Sequence, residues 1–295
     1  MKIGKRILAF LLSALLAIPL LGCSDGSAQL MERMAKRMQD VQSARMDICM
    51  DVDVSAAGEM LDLQAAMQLD YIREPLAMKM QMDLSSAGQS EQATMYLQQA
   101  DTWIHAYMRQ GRGDWQHAAL LEGQLTGQVQ QALNMTDIVN TLFDAKQFKK
   151  VGTEQIDGVT TVKISGKLGA ETIVKLLLSS GLSEEMTHLH ADALEQLRNI
   201  VTQMGETSIT YWIDEEKAEL RKAEVDMTQA LNGLLQKLVS QVDARSGMQF
   251  VLYLIQFDTC KVTVSYTDID ALSSIEIPQE VLDTPLQSSD ASNEI

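Results

Sequence analysis

The chain has 295 residues, with 24 Lys and Arg against 40 Asp and Glu, for a formal net charge of −16. An acidic surface of this size argues against nucleic acid as a partner and against electrostatic adhesion to anionic lipid headgroups. The length allows one large domain or two small ones.

In chain order, Lys2, Lys5 and Arg6 form a positive n-region, and Ile7 to Leu21 is an almost unbroken apolar run ending at Gly22-Cys23. That arrangement marks an export signal. Its end, Leu20-Leu21-Gly22-Cys23, resembles the lipobox of bacterial lipoproteins. The resemblance implies that residues 1–22 are removed as a signal peptide and that Cys23 is acylated. The protein is then lipid-anchored at the extracytoplasmic face of the cell membrane. A short transmembrane anchor is the competing reading, but the run is about five residues short of the roughly 20 that span a bilayer. Loss of Lys2, Lys5 and Arg6 takes the charge from −16 to −19. The membrane link is therefore the acyl anchor, at about 0.8 kcal/mol per buried CH₂.

Residues 23–27 form a polar spacer after the lipidated Cys. From Ala28 to Gln42, Leu30, Met31, Met34, Met38 and Val41 recur at helical spacing. The period then switches to two. Met46 to Val54 alternates strictly, followed by Leu61 to Tyr71 and then Leu76, Met78, Met80, Met82 and Leu84. Ala93 to Leu97, Trp103 to Met108 and Trp115 to His117 continue the pattern. These are hairpin-linked antiparallel strands that bury one face only. Residues 119–146 lose the alternation and predict helical or irregular cover, with Asn134 or Thr136 as an N-cap. Phe148 to Gln155 and Val159 to Leu168 resume the sheet around an Ile156-Asp157-Gly158 turn. Helices follow at Ala170–Ser179, closed by Gly181, and at Ser183–Met204, where Ser183 is the cap and Gly205 the stop. Strands return at Thr207–Ile213 and Leu220–Met227. A helix over about Leu231–Val242 and a strand over Phe250–Tyr266 complete the domain. The expected fold is α+β: a curved antiparallel sheet of about nine to eleven strands, an incomplete barrel, with helices covering one face. A single domain spans residues 28–283, and residues 284–295 form a disordered tail.

Several of these segments together resemble an uncharacterised family of bacterial lipoproteins with a domain of unknown function. They are the alternation Leu76-Ala77-Met78-Lys79-Met80-Gln81-Met82, the aromatic hairpin from Trp103 to Trp115, and Tyr211-Trp212-Ile213-Asp214. Lys222 to Met227 and the closing Ile277-Pro278-Gln279-Glu280-Val281 complete the set. The layout is also similar to the LolA/LppX-like half-barrels. That similarity implies a gap between sheet and helices able to hold acyl chains, and it carries over no catalytic residue.

The 18 methionines admit three readings. As a closed core they are the buried face of the sheet. With a gap over them, Met50, Met67, Met78, Met80, Met82 and Met95, together with Leu176, Leu189 and Leu197, line an apolar cavity. Flexible, polarisable side chains adapt such a wall to varied shapes. Thioether binding of a soft metal is the third reading, but the short Met/His clusters that such sites show are missing. A hairpin centred near Gly111 would set Tyr107 opposite Trp115 and His105 opposite His117. That is either an aromatic ladder or two ligands of a metal site lacking a third. His188 and His190, two apart on a helix, point away from each other.

Cys49 and Cys260 remain after Cys23. Alternation puts Cys49 on the acidic face and Cys260 on the apolar one, which is awkward for a bridge. No Gly-x-Ser-x-Gly elbow, His-Glu-x-x-His helix, Walker loop or Ser-x-x-Lys motif occurs, so neither an enzyme nor a cofactor is expected. The expected function is a membrane-anchored lipoprotein that binds a lipid or another amphiphile between sheet and helices. The alternative is a structural or protein-interaction lipoprotein of the envelope with a closed core.

Overall fold

A computed structural model describes residues 26–86, 88–121, 146–177, 199, 201–203, 205–241 and 254–286. Helix α1 (Ser27–Gln39) leads into β1 (Ser43–Ala56), β2 (Glu59–Ile72), β3 (Ala77–Ser86), β4 (Gln89–Ala100), β5 (Trp103–Gln110) and β6 (Gln116–Leu121). The second part has β7 (Lys146–Ile156), β8 (Val159–Leu168), α2 (Ala170–Leu177), β9 (Thr207–Asp214) and β10 (Glu219–Asp226). It closes with α3 (Thr228–Gln241), β11 (Ile255–Thr267) and the single turn α4 (Gln279–Leu282).

All eleven strands form one open antiparallel sheet in the order β6-β5-β4-β3-β2-β1-β11-β10-β9-β8-β7. Its two halves are meanders, because short hairpins keep sequential strands adjacent. Ala57-Gly58 between β1 and β2, and Asp157-Gly158 between β7 and β8, have positive φ at both central positions. That is the geometry whose twist matches the flanking strands. The halves are joined where β1 pairs with β11, from Arg45 opposite Thr267 to Ala56 opposite Ile255.

Period two then fixes the faces. Met46 lies opposite Leu69 and Tyr266, Met80 opposite Leu69 and Met95, and Leu97 opposite Met78 and Ala106. These side chains form one methionine face, with Ile164, Ile209, Tyr211, Ile213, Leu220 and Val264 continuing the core across the second meander. Arg45, Asp47, Asp70, Lys79 and Tyr96 alternate with them onto the opposite, polar face. Helix α1 buries Leu30, Met31, Met34 and Met38, the stripe read from its sequence, and lies against β7 and β10. Two arginines pin it. Arg33 donates to the Glu215 carbonyl at 3.1 Å, and Arg37 bridges the buried Glu219 at 2.8 Å and Asp270 at 2.7 Å.

Three expectations change. Strand β6 runs on to Leu121, so residues 119–121 are sheet and not cover; the N-cap reading at Asn134 or Thr136 lies outside the described residues. Helix α3 starts one turn earlier than its apolar spacing suggested, because the Asp226 carboxylate accepts the Thr228 N–H at 3.0 Å. The polar face is not bare. After β11 the chain crosses to it and seats Val281, 0% exposed, against Tyr96 and Tyr107 with Trp115 and Ile277 beside them. Of the helix expected over Ser183–Met204, residue 199 and residues 201–203 are described, and they are helical.

The register makes a stability prediction. Met80 is 7% exposed and inside the core, while Lys79 is half-buried on the polar face. Met80→Asp leaves an unpaired charge in an apolar site and lowers unfolding free energy by more than about 3 kcal/mol. Lys79→Gln costs less than about 1 kcal/mol. Urea denaturation of the two variants checks this, and equal losses contradict the register.

Candidate functional site

On the methionine face, burial falls along neighbouring strands toward the same end of the sheet. In β2 it runs from Leu69, fully buried, through the half-buried Met67 to Leu61, 55% exposed. In β3 it runs from Met78 and Met80, both buried, through Met82 to Leu84, 39% exposed. In β4 Leu97 and Met95 are buried, Ala93 is half-buried and Glu91 is exposed. In β1 Met46 is buried, whereas Ile48, Met50, Val52 and Val54 are half-buried. The end near Ser43 is closed and the end near Ala56 is open.

At the open end a half-open recess of about 690 Å³ is lined by Met82, Leu84 and Ala93 together with Ser90, Glu91, Gln92, Gln110, Gly111 and Arg112. Its size falls in the range of small-molecule sites. The candidate lining residues therefore divide. Met50, Met67 and Met82 sit toward the open end, and Met78, Met80 and Met95 belong to the closed core. Leu176 is on α2, with its side chain outside the description; Leu189 and Leu197 lie outside the described residues.

The polar face carries a second arrangement, one that sequence reading placed in the wrong register. Tyr107 pairs with His117, and His105 with Ala119, so neither Tyr107–Trp115 nor His105–His117 is a facing pair. The histidines nonetheless meet diagonally, His105 Nδ1 lying 3.0 Å from His117 Nε2. The other ring nitrogen of His117 is 3.0 Å from the Thr284 carbonyl, and Tyr107 stacks on the ring at 4.3 Å. Arg109 lies 4.5 Å over Trp115, which in turn packs on Tyr96. The segment from Ile277 to Thr284 is thus strapped across β3–β6. The apolar pair Ile277 and Val281 was its only sequence signal, and nothing local says which strands they cover.

A family profile described as "Family of unknown function (DUF6612)" matches residues 27–250. The chain belongs to the DUF6612 family. Among curated proteins no significant match to this DUF6612 chain is found. Among solved structures, similarity extends to the Mycobacterium tuberculosis lipoprotein LppX at 14% identity, covering 86% of this chain and 100% of that one with a TM-score of 0.42. LprF from Mycobacterium bovis is similar at 14% identity, with 86% and 98% coverage and a TM-score of 0.45. A LolA superfamily protein from Nitrosomonas europaea is similar at 12% identity, with 88% and 97% coverage and a TM-score of 0.21.

Reactive groups in this DUF6612 protein are muted. Cys49 and Cys260 are free thiols on opposite faces, as the alternation indicates. Burial and the nearby Asp51 and Asp47 push the Cys49 thiol up; burial and Asp226 do the same for Cys260. Neither is an activated nucleophile. Among the described residues no three His, Cys, Asp or Glu side chains gather at one point.

The histidine contact is the exception, because its protons are ordered. A carbonyl only accepts, so neutral His117 carries its proton on Nδ1 toward Thr284. Its Nε2 is left to accept from His105. Desolvation first, and His117 second, hold His105 below its usual pKa of 6.5. The folded state binds a proton there more weakly than the unfolded chain, so the site contributes stability that is complete above pH 6.5 and is lost as pH falls through the lowered value. His105→Ala therefore flattens the fall in unfolding free energy between pH 7.5 and pH 5, and urea denaturation at the two pH values measures it.

Proposed function

We propose that this DUF6612 protein is an envelope lipoprotein, held at the extracytoplasmic face of the cell membrane by an acylated Cys23. It binds a lipid or similar amphiphile along the open end of its methionine face, and it is not an enzyme. The observation that carries this reading is the fall in burial along the apolar face, from Leu69 to Leu61 and from Met78 to Leu84. A closed core would finish the gradient. Here the face ends in a recess that sets Met82, Leu84 and Ala93 beside Glu91, Gln92, Gln110 and Arg112, apolar groups for a chain and polar ones for its end. Met50, Met67 and Met82 form the wall nearest the ligand. Met78, Met80 and Met95 are the packed floor. No described helix is long and apolar enough to cross a membrane, and the anchor is the acyl chain.

Two outcomes follow. The full-length protein in nonionic detergent binds a fluorescent fatty-acid probe saturably, and Met82→Asp weakens that binding at least tenfold. Because Met82 is only half-buried, its melting temperature stays within a few degrees of the parent. A protein that folds and binds no probe returns the reading to an envelope interaction protein. Cys23→Ala shifts the protein out of the membrane fraction or leaves it unprocessed, as cell fractionation and intact mass show. A processed, membrane-bound Cys23→Ala chain contradicts the anchor.

A further inference from the structure

Between the C-terminal strap and the polar face lies a second recess of about 580 Å³. Its floor is the cross-strand row Arg45, Asp70, Lys79 and Tyr96, adjacent in register on β1 to β4, and its roof is residues 272–279. It lies on the opposite side of the sheet from the methionine face, so an acyl chain bound there does not reach it.

The hydrogen bonds of the floor are unevenly spent. Arg45 Nε donates to one Asp70 oxygen at 2.7 Å and its terminal nitrogen to the other at 3.1 Å, while a third bond reaches Asp268 at 3.0 Å. Both Asp70 oxygens are thereby engaged, although Lys79 is its direct cross-strand neighbour. Lys79 has no carboxylate partner among the described residues, in contrast to Lys163, Lys222 and Lys261 on the same face, which pair with Glu154, Glu224 and Asp226. Tyr96, the other neighbour of Lys79, is buried yet makes no hydrogen bond through its hydroxyl among the described residues. Burial keeps that phenol protonated, hence a donor. The floor offers an ammonium and a hydroxyl with no acceptor to take them. From the roof, Ser274 and Gln279 add polar groups and Glu276 an exposed carboxylate, with Glu280 of the strap also close enough to act on Tyr96.

We propose that this recess binds a small anion of the phosphate-monoester type, with Lys79 and Tyr96 as donors to its oxygens and the strap as its roof. A charge-assisted bond from Lys79 is the strong contact, and Glu276 sets the outer limit, repelling a second negative group at the rim. Free phosphate and a lipid headgroup present the same oxygens. Access under the strap favours the free anion.

Amine acetylation of the full-length protein in nonionic detergent, read lysine by lysine by peptide mass spectrometry, tests this. Inorganic phosphate is one arm and phosphatidylglycerol vesicles the other, each against chloride of equal ionic strength. Phosphate is expected to slow Lys79 at least threefold while leaving Lys36 and Lys149 unchanged, and Tyr96→Phe to reduce that protection. Calorimetry gives a saturable phosphate isotherm that Lys79→Gln abolishes with its melting temperature preserved. Protection by vesicles alone overturns the free-anion assignment in favour of a headgroup. Equal slowing of all lysines, or no slowing at Lys79, overturns the site. The acyl-probe experiment reads the other face, so either result stands without the other.

Discussion

The pairing of β1 with β11 is the constraint on which the rest depends. Strands from opposite ends of the domain meet in the middle of the sheet, and each meander hangs from that seam. Neither half completes the core alone. Met46 from the first meander packs with Tyr266 and Val264 from the last strand, and α1, which precedes the first meander, covers strands of the second. Contacts this remote in sequence carry a large loop-closure cost before they are rewarded. The seam is reinforced where it ends. Asp270 accepts the Gln42 N–H at 2.6 Å and holds Arg37, and Arg45 reaches both Asp70 and Asp268. At the other end the Asn232 amide on α3 bonds both the N–H and the carbonyl of Phe257, where the β1–β11 register shifts.

An open sheet of this width has two faces to satisfy and one set of helices. The chain treats them differently. The methionine face is closed at one end with aliphatic packing and left apolar and accessible at the other. The polar face is neutralised by short-range charge pairing, by Trp212 held between Lys163 and Lys222 with its indole on Glu154, and by a strap over its aromatic corner. Sheet edges and faces left unmanaged invite aggregation. On the methionine face, Leu61 and Leu84 leave exposed apolar surface at the end near Ala56.

What was legible in the sequence was whatever obeys a local period. Alternation placed Met78 and Met80 inside, Lys79 outside, and the two cysteines on opposite faces. The 3.6-residue stripe placed Leu30, Met31, Met34 and Met38 against the sheet. What was not legible depends on partners far along the chain. The Gly111 to Trp115 loop looks symmetric about Gly111. Yet Gly111 donates to the Gln92 carbonyl and Gly113 to that of Gln110, which moves the register by one pair and turns a facing His pair into a diagonal one. Val281 is a single apolar residue in a polar segment, and only the fold reveals that it fills a hole between Tyr96 and Tyr107. The burial gradient is equally invisible, because Met67 and Met80 read alike until the sheet is folded.

The Arg37 bridge has a mechanical consequence if Cys23 carries the proposed acyl anchor, because α1 starts at Ser27. A handful of linking residues, at about 3.5 Å each, gives a leash on the order of 14 Å. That leash does not end in a loose terminus. It ends in a helix riveted through Arg37 to β10 and to the turn after β11. Under that anchor, lateral pull at the bilayer reaches β10 and the turn after β11 through α1. The part of the fold that carries α1 is then the pivot about which every reorientation at the membrane turns.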